Sequence, residues 1–180
     1  MILVITHSTT AQKRGAGDMK AEDLYLSQHH LNLMKGVRLA REQGQTVQVW
    51  IVSPMYGLIS GEQFIAPYRL GFAGMDRQLK KHKICVLGIE KTYRKILSQR
   101  FSLGLVVCNE THLTTLATHT IHQDEVGGPL TYICSGERGK KVEGHARFIV
   151  LTNEDSKKRG HALKNMKGVV ASDLIKEHLA

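Results

Sequence analysis

Two tyrosines that closely follow prolines, Tyr56 in SPMYGLI and Tyr68 in IAPYRL, stand out as residues placed for chemistry. The chain holds three prolines, and two of them, Pro54 and Pro67, fall in this single stretch. Proline fixes its backbone φ at about −65°, so each ring is presented at a set angle, offering a flat face and a hydroxyl. A loop that must present a flat face and a hydrogen-bond donor to a ligand has a use for such rings. Other side chains able to do chemistry are the carboxylates Asp23 in AEDLY and Glu110 in NETH, with Asp18 behind them, and the polar His7, Ser8, Ser53 and Asn109. Tyr25, Met55 and Gly57 lie beside these in the sequence.

Several of these residues also suit plain structural roles. Acids such as Glu22 and Asp23 favour the start of a helix through its dipole, and Asn109 is a good helix cap. In NETH the amide, carboxylate and imidazole of Asn109, Glu110 and His112 come together at a strand end, where Asn can read a base edge and Glu or His can orient water. His29 and His30 fall inside a helical pattern and read as surface or partly buried residues rather than ligands.

Charge points to the partner. The chain carries 25 Lys and Arg against 16 Asp and Glu, a net charge of +9. From Arg77 to Arg100 there are eight basic residues and one acid, and from Glu137 to Lys167 nine against four. Clustered positive charge is the footprint of a polyanion, although solvated helix faces of a basic protein give the same pattern. Lys13 and Arg14, beside Gly15 and Gly17, and Arg138, Lys140 and Lys141 in SGERGKK suit phosphate contacts, as do Arg94 and Lys95. There is no GxxxxGK[ST], GxGxxG, GxSxG or HExxH. No metal and no cofactor is expected. Cys85, Cys108 and Cys134 are odd in number, without CxxC spacing, and each lies in or at the end of an apolar run. Buried reduced thiols and a cytoplasmic location are the expectation. No basic leader precedes the short run MILVIT and no apolar run is membrane-length, so neither a signal peptide nor a membrane partner is expected.

These residues need elements to position them. Six short, near-continuous apolar runs read as strands buried on both faces: Ile2–Thr6, Val47–Val52, Lys83–Leu87, Leu103–Cys108, Leu130–Cys134 and Arg147–Leu151. Between the first two, AEDLYLSQHHLNLMKGVRLAREQG reads as one helix, and GIEKTYRKILSQRF as another. EDSKKRGHALKNMKG and ASDLIKEHLA read as one broken helix or two short ones, with Ser172 capping the latter. Strands alternating with helices make one α/β domain over residues 1–180, a three-layer sandwich around a mainly parallel sheet. Ligands of such folds bind beyond the carboxyl ends of the strands, which is where HSTTAQKRGAGD, SPMYGLI, NETH, SGERGKK and TNEDSKK fall.

THSTTAQK, AEDLY, WIVSPMYGLI and IAPY, in that order, resemble a family of small bacterial and phage domains of formerly unassigned function. That family is distantly similar to the peroxide-stress proteins and to the uracil-DNA glycosylase superfamily, including the glycosylase-like part of archaeosine synthase. The matching stretch covers roughly the first 70 residues. His7 stands where the family usually has a cysteine, and Arg69 where it has an aspartate. The resemblance implies a uracil-DNA-glycosylase-like fold and a DNA glycosylase that removes a modified base, for instance a glucosylated one, from phage DNA in antiviral defence. It also implies the roles: Tyr56 and Tyr68 as a wall on which an extruded base stacks, with Tyr25, Met55 and Gly57 around it. Asp23 or Glu110, and behind them Asp18, would position water and stabilise the cationic sugar, and His7, Ser8, Ser53 and Asn109 would donate to the departing base. A non-enzymatic DNA-binding protein and an enzyme of free nucleotides or deazapurine nucleosides are the alternatives.

Overall fold

The computed structural model describes residues 1–15, 17–135 and 146–180. Its centre is a six-stranded sheet. Strand β1 (Ile2–His7) lies between β3 (Val47–Ser53) and β6 (Leu103–Val107), and β7 (Leu130–Ser135) and β8 (Arg147–Leu151) extend the sheet beyond β6, all in parallel. On the other side of β3 a short strand, β4 (Gly57–Ser60), pairs antiparallel and closes that edge. A two-stranded ribbon of β2 (Met19–Lys20) and β5 (Phe64–Ile65) stands apart from the sheet.

The apolar runs are continuous because β1 is packed on both sides. Ile2 and Val4 join a core with α2 (Gln28–Glu42) and α7 (Leu163–Leu179), through Leu33, Met34, Val37, Met166, Val170 and Ile175. Leu3 and Ile5 join a second core with α4 (Ile89–Leu97), through Tyr93, Ile96 and Leu97. Helices therefore cover both faces, and the three layers expected from the sequence are present. The buried hydroxyls of Tyr93 and Tyr132 satisfy one another at 2.7 Å.

Several details differ from expectation. Lys83–Leu87 is not a strand but the end of α3 (Arg77–Val86) and its C-cap, Leu87, in a helix started by Asp76, whose side chain accepts from the backbone N–H of Gln78 and Leu79. A short apolar run does not by itself separate strand from helix, and here the cap decides. No residue of α3 is buried, and Val86 is 69% exposed. Cys85 is accordingly exposed, whereas Cys108 and Cys134 are buried as expected. The first helix is broken at Tyr25–Ser27 into α1 (Ala21–Leu24) and α2, with Ser27 capping the latter. At the C-terminal end the break falls at Gly160, between α6 (Asn153–Arg159) and α7. Ser172 is thus not a cap but lies buried within α7. No helix among the described residues is long and apolar enough to cross a membrane.

Helices α2 and α7 approach through glycines. A β-carbon on Gly36 would lie 2.8 Å from Ser172 Cα, and one on Gly168 would collide with the backbone carbonyl of His29. Gly168→Ala should therefore destabilise the fold by about 1–3 kcal/mol through overpacking. Urea unfolding is the measurement, and an unchanged midpoint would show that α7 sits more loosely than this.

Candidate functional site

The chain leaves β1 in one direction to build β3 and returns on the other side to build β6, so the carboxyl ends of β1 and β6 flank the point where the sheet order switches. A crevice outside such a switch is where open α/β sheets bind ligands. His7 ends β1 there. Its ring stacks on His29 at 4.9 Å and 26° and tilts against His112 at 4.7 Å and 35°. Phe72 meets His112 edge-on at 5.5 Å. Lys80 from α3 lies 5.9 Å over the Phe72 ring and donates to the carbonyl of Thr111.

The hydrogen bonds fix the tautomers. Asn109 Oδ1 accepts from the backbone N–H of His112, which starts α5 (Glu110–Thr115), and from His112 Nδ1 at 2.6 Å. Asn109 is therefore both the helix cap and the residue that orients His112. His7 Nδ1 donates to the carbonyl of Val107. Thr6 gives its hydroxyl proton to that same carbonyl and so accepts from His29 Nε2. Each ring is then a neutral imidazole with one acceptor nitrogen left. Among the described residues, His29 Nδ1 and His30 Nδ1 are buried without a hydrogen-bond partner.

Electrostatics agree. Burial, helped by the nearby cations, holds His7 and His29 well below the usual imidazole value and His112 at about 3. One of those cations is Lys167 on α7, only 4% exposed, whose ammonium donates to the carbonyl of Cys108 at 3.3 Å. Desolvation pulls its own pKa down.

A second file, of hydroxyls, begins at the end of β3. Ser53 Oγ accepts from the backbone N–H of Met55 and Tyr56 and donates to Tyr68 OH at 2.8 Å. Tyr68 OH in turn lies 3.0 Å from Tyr25 OH. The Tyr25 ring packs edge-on to His30 at 5.6 Å. His29 and His30 are neighbours in the first turn of α2, so the imidazole and hydroxyl files meet there. Tyr25 holds its proton because burial raises its pKa. Tyr56 and Tyr68 do come together, but perpendicular, 5.5 Å apart at 81°. They are packed against each other rather than forming two walls of a slot.

The remaining expected residues divide. Ser8 is buried, with its N–H on the carbonyl of Val52. Met55 is exposed, Pro67 lies beside Tyr68, and Gly57 has φ +86 and starts β4, so its role is the hairpin. Asp23 pairs with Arg38 at 3.5 Å. Glu110 opens α5 beside Asn109, and its charge reaches Cys134 at the end of β7. Lys13 and Arg14 line a cleft beside Tyr68. Arg94 is corrected: its guanidinium is engaged by Glu90, Glu125 and Thr120. Arg94 and Lys95 also sit in the last turn of α4, next to the strand starts, because a crossover helix runs antiparallel to the strands it joins. Arg138, Lys140 and Lys141 lie outside the described residues.

His29 and His30, expected as surface or partly buried residues, are both buried, and sequence reading passed over Lys167. The paired histidines at a helix start were the available signal; nothing in the sequence marks Lys167. No family model, no curated protein and no solved structure matches this chain.

Acid should weaken the fold through the imidazole file. Above pH 6.5, the ordinary imidazole value, His112 is neutral in both folded and unfolded chains. As pH falls from there towards about 3, only the unfolded chain takes up the proton, so stability is lost across that window. Each such group steepens the loss by about 1.4 kcal/mol per pH unit. His112→Gln should flatten the dependence of unfolding free energy on pH by that amount, read by urea titrations across the window. An unaltered slope would mean that His112 protonates freely in the fold.

Proposed function

We propose that the chain is a DNA glycosylase that hydrolyses the N-glycosidic bond of a modified base and leaves an abasic site. The observation that carries the reading is the meeting of the imidazole and hydroxyl files at the sheet's switch point, where Glu110 opens the helix that carries His112. Uncharged imidazoles and protonated phenols suit a ligand read by hydrogen bonds at its edge, such as an extruded base. Glu110 is the favoured carboxylate, because it follows Asn109 and opens the helix that carries His112. In the step proposed, the bond from C1′ to the base breaks and its electron pair leaves with the base. Water adds to C1′ and gives a proton to Glu110, and a phenol of the hydroxyl file hydrogen-bonds the departing base, which takes a proton from solvent. A modified base of phage DNA as the target and a role in antiviral defence are supported by the motif resemblance alone, a DNA partner also by the basic composition, and a cytoplasmic setting by the buried thiols of Cys108 and Cys134.

A second reading, a DNA-binding protein without catalysis, is favoured by α3. That helix presents Arg77, Lys80, Lys81 and Lys83 and buries no residue of its own. It expects salt-sensitive binding without any released product.

Mass spectrometry of small molecules released from a panel of phage genomic DNAs separates the two. The glycosylase reading expects a free base, released at least about 100-fold more slowly by Glu110→Gln and little affected by Asp23→Asn. No base from any DNA in the panel would leave the binding protein as the better account.

A further inference from the structure

Between the loop after β1 and the segment after β5 lies a cleft of about 310 Å³ whose lining includes Lys13, Arg14 and Arg69 and, among the described residues, no acidic one. Among the described residues none of these three cations forms an ion pair, whereas Lys20, Arg38 and Arg41 of the same half of the chain are matched to Glu62, Asp23 and Glu22. Like charges gathered around a concave space repel, and that repulsion is relieved when an anion enters.

The cleft is also braced. Gln12 Oε1 accepts from the backbone N–H of Tyr68 at 2.9 Å and its Nε2 donates to the carbonyl of Thr9, tying the two walls together. Lys13 N–H is held by the carbonyl of Leu24. Such pre-ordering lowers the cost of binding. Two guanidinium groups and an ammonium match a tetrahedral oxyanion better than a single carboxylate, because each planar fork can take two of its oxygens. Tyr68 supplies an aromatic side to the cleft, while its hydroxyl belongs to the Ser53–Tyr25 file. One residue thus borders both places.

We infer that this cleft binds the phosphate group of a nucleotide, with Arg69, Lys13 and Arg14 as its ligands. The inference rests on the glycosylase reading only for which phosphate this is, namely one next to the extruded base. Its test reads binding alone.

Isothermal titration of the intact chain with inorganic phosphate, a deoxynucleoside, its 5′-monophosphate and a short single-stranded oligonucleotide provides that test. Phosphate-bearing probes should bind and the deoxynucleoside should not. Arg69→Gln, and separately the double variant Lys13→Gln with Arg14→Gln, should weaken binding by about tenfold or more, as expected for charge-assisted hydrogen bonds. Lys176→Gln, in the last turn of α7 near the strand starts, should not. The three cleft cations are exposed, so the fold is retained, and thermal melting checks it.

If the phosphate belongs to DNA, the oligonucleotide binds, and its salt slope falls by about 0.7 for each contact removed. If it belongs to a free nucleotide, the monophosphate binds more tightly than inorganic phosphate and the oligonucleotide does not bind. Absence of binding by every phosphate-bearing probe, or an equal loss in Lys176→Gln, would overturn the assignment. Base release is assayed in parallel: phosphate binding without base release sinks the glycosylase reading alone, and base release without phosphate binding sinks the cleft alone.

Discussion

The contact on which the rest depends is the approach of α7 to α2 through Gly168 and Gly36. Because the backbone of α7 reaches the carbonyl of His29, the first turn of α2 is held where His29 stacks on His7. The residue before that glycine, Lys167, is thereby carried to the end of β6, where the carbonyl of Cys108 receives it. A helix pair spaced by larger side chains would separate the two histidines at the start of α2 from the strand ends. The imidazole file is therefore a product of helix packing as much as of the residues that form it.

That packing sets the electrostatics. Desolvation is the leading cause of the lowered basicity of His7, His29 and His112, and the charge on Lys167 acts in the same direction. The strand ends thus hold polar but uncharged rings, a buried ammonium and a chain of hydroxyls. Lys167 and Glu110, at the head of α5, bring formal charge to these strand ends, and more cations lie around the cleft beside Tyr68 and along α3. Among the rings and hydroxyls themselves, direction of hydrogen bonding distinguishes one ligand from another. Glu22 shows the contrasting case: a buried carboxylate fully taken up by the fork of Arg41, which fastens α1 to α2 and is closed to chemistry.

The sequence made the sheet legible because five of its strands are mainly apolar, and β1, buried along its whole length, shows what such a run is for. It misled at KICVL, where the deciding feature was Asp76, seven residues upstream of Lys83, rather than the run itself. GLIS was passed over since β4 is a hairpin return of four residues, too short to show a period. At the candidate site, Tyr25, Tyr68, Ser53, His7 and Asn109 were visible as types at strand ends. Their partners were not, because His29 and Lys167 belong to helices whose faces are assigned only by packing. Arg94 misled for a related reason: a basic residue in a basic stretch reads as free until its carboxylate partners are seen.

Helix α7 follows every strand of the sheet in chain order. On the ribosome, where synthesis runs from the N-terminal side, all six strands emerge before α7 and the ammonium of Lys167 that it carries to the end of β6. The group that closes the cluster over the strand ends is thus the last to be made.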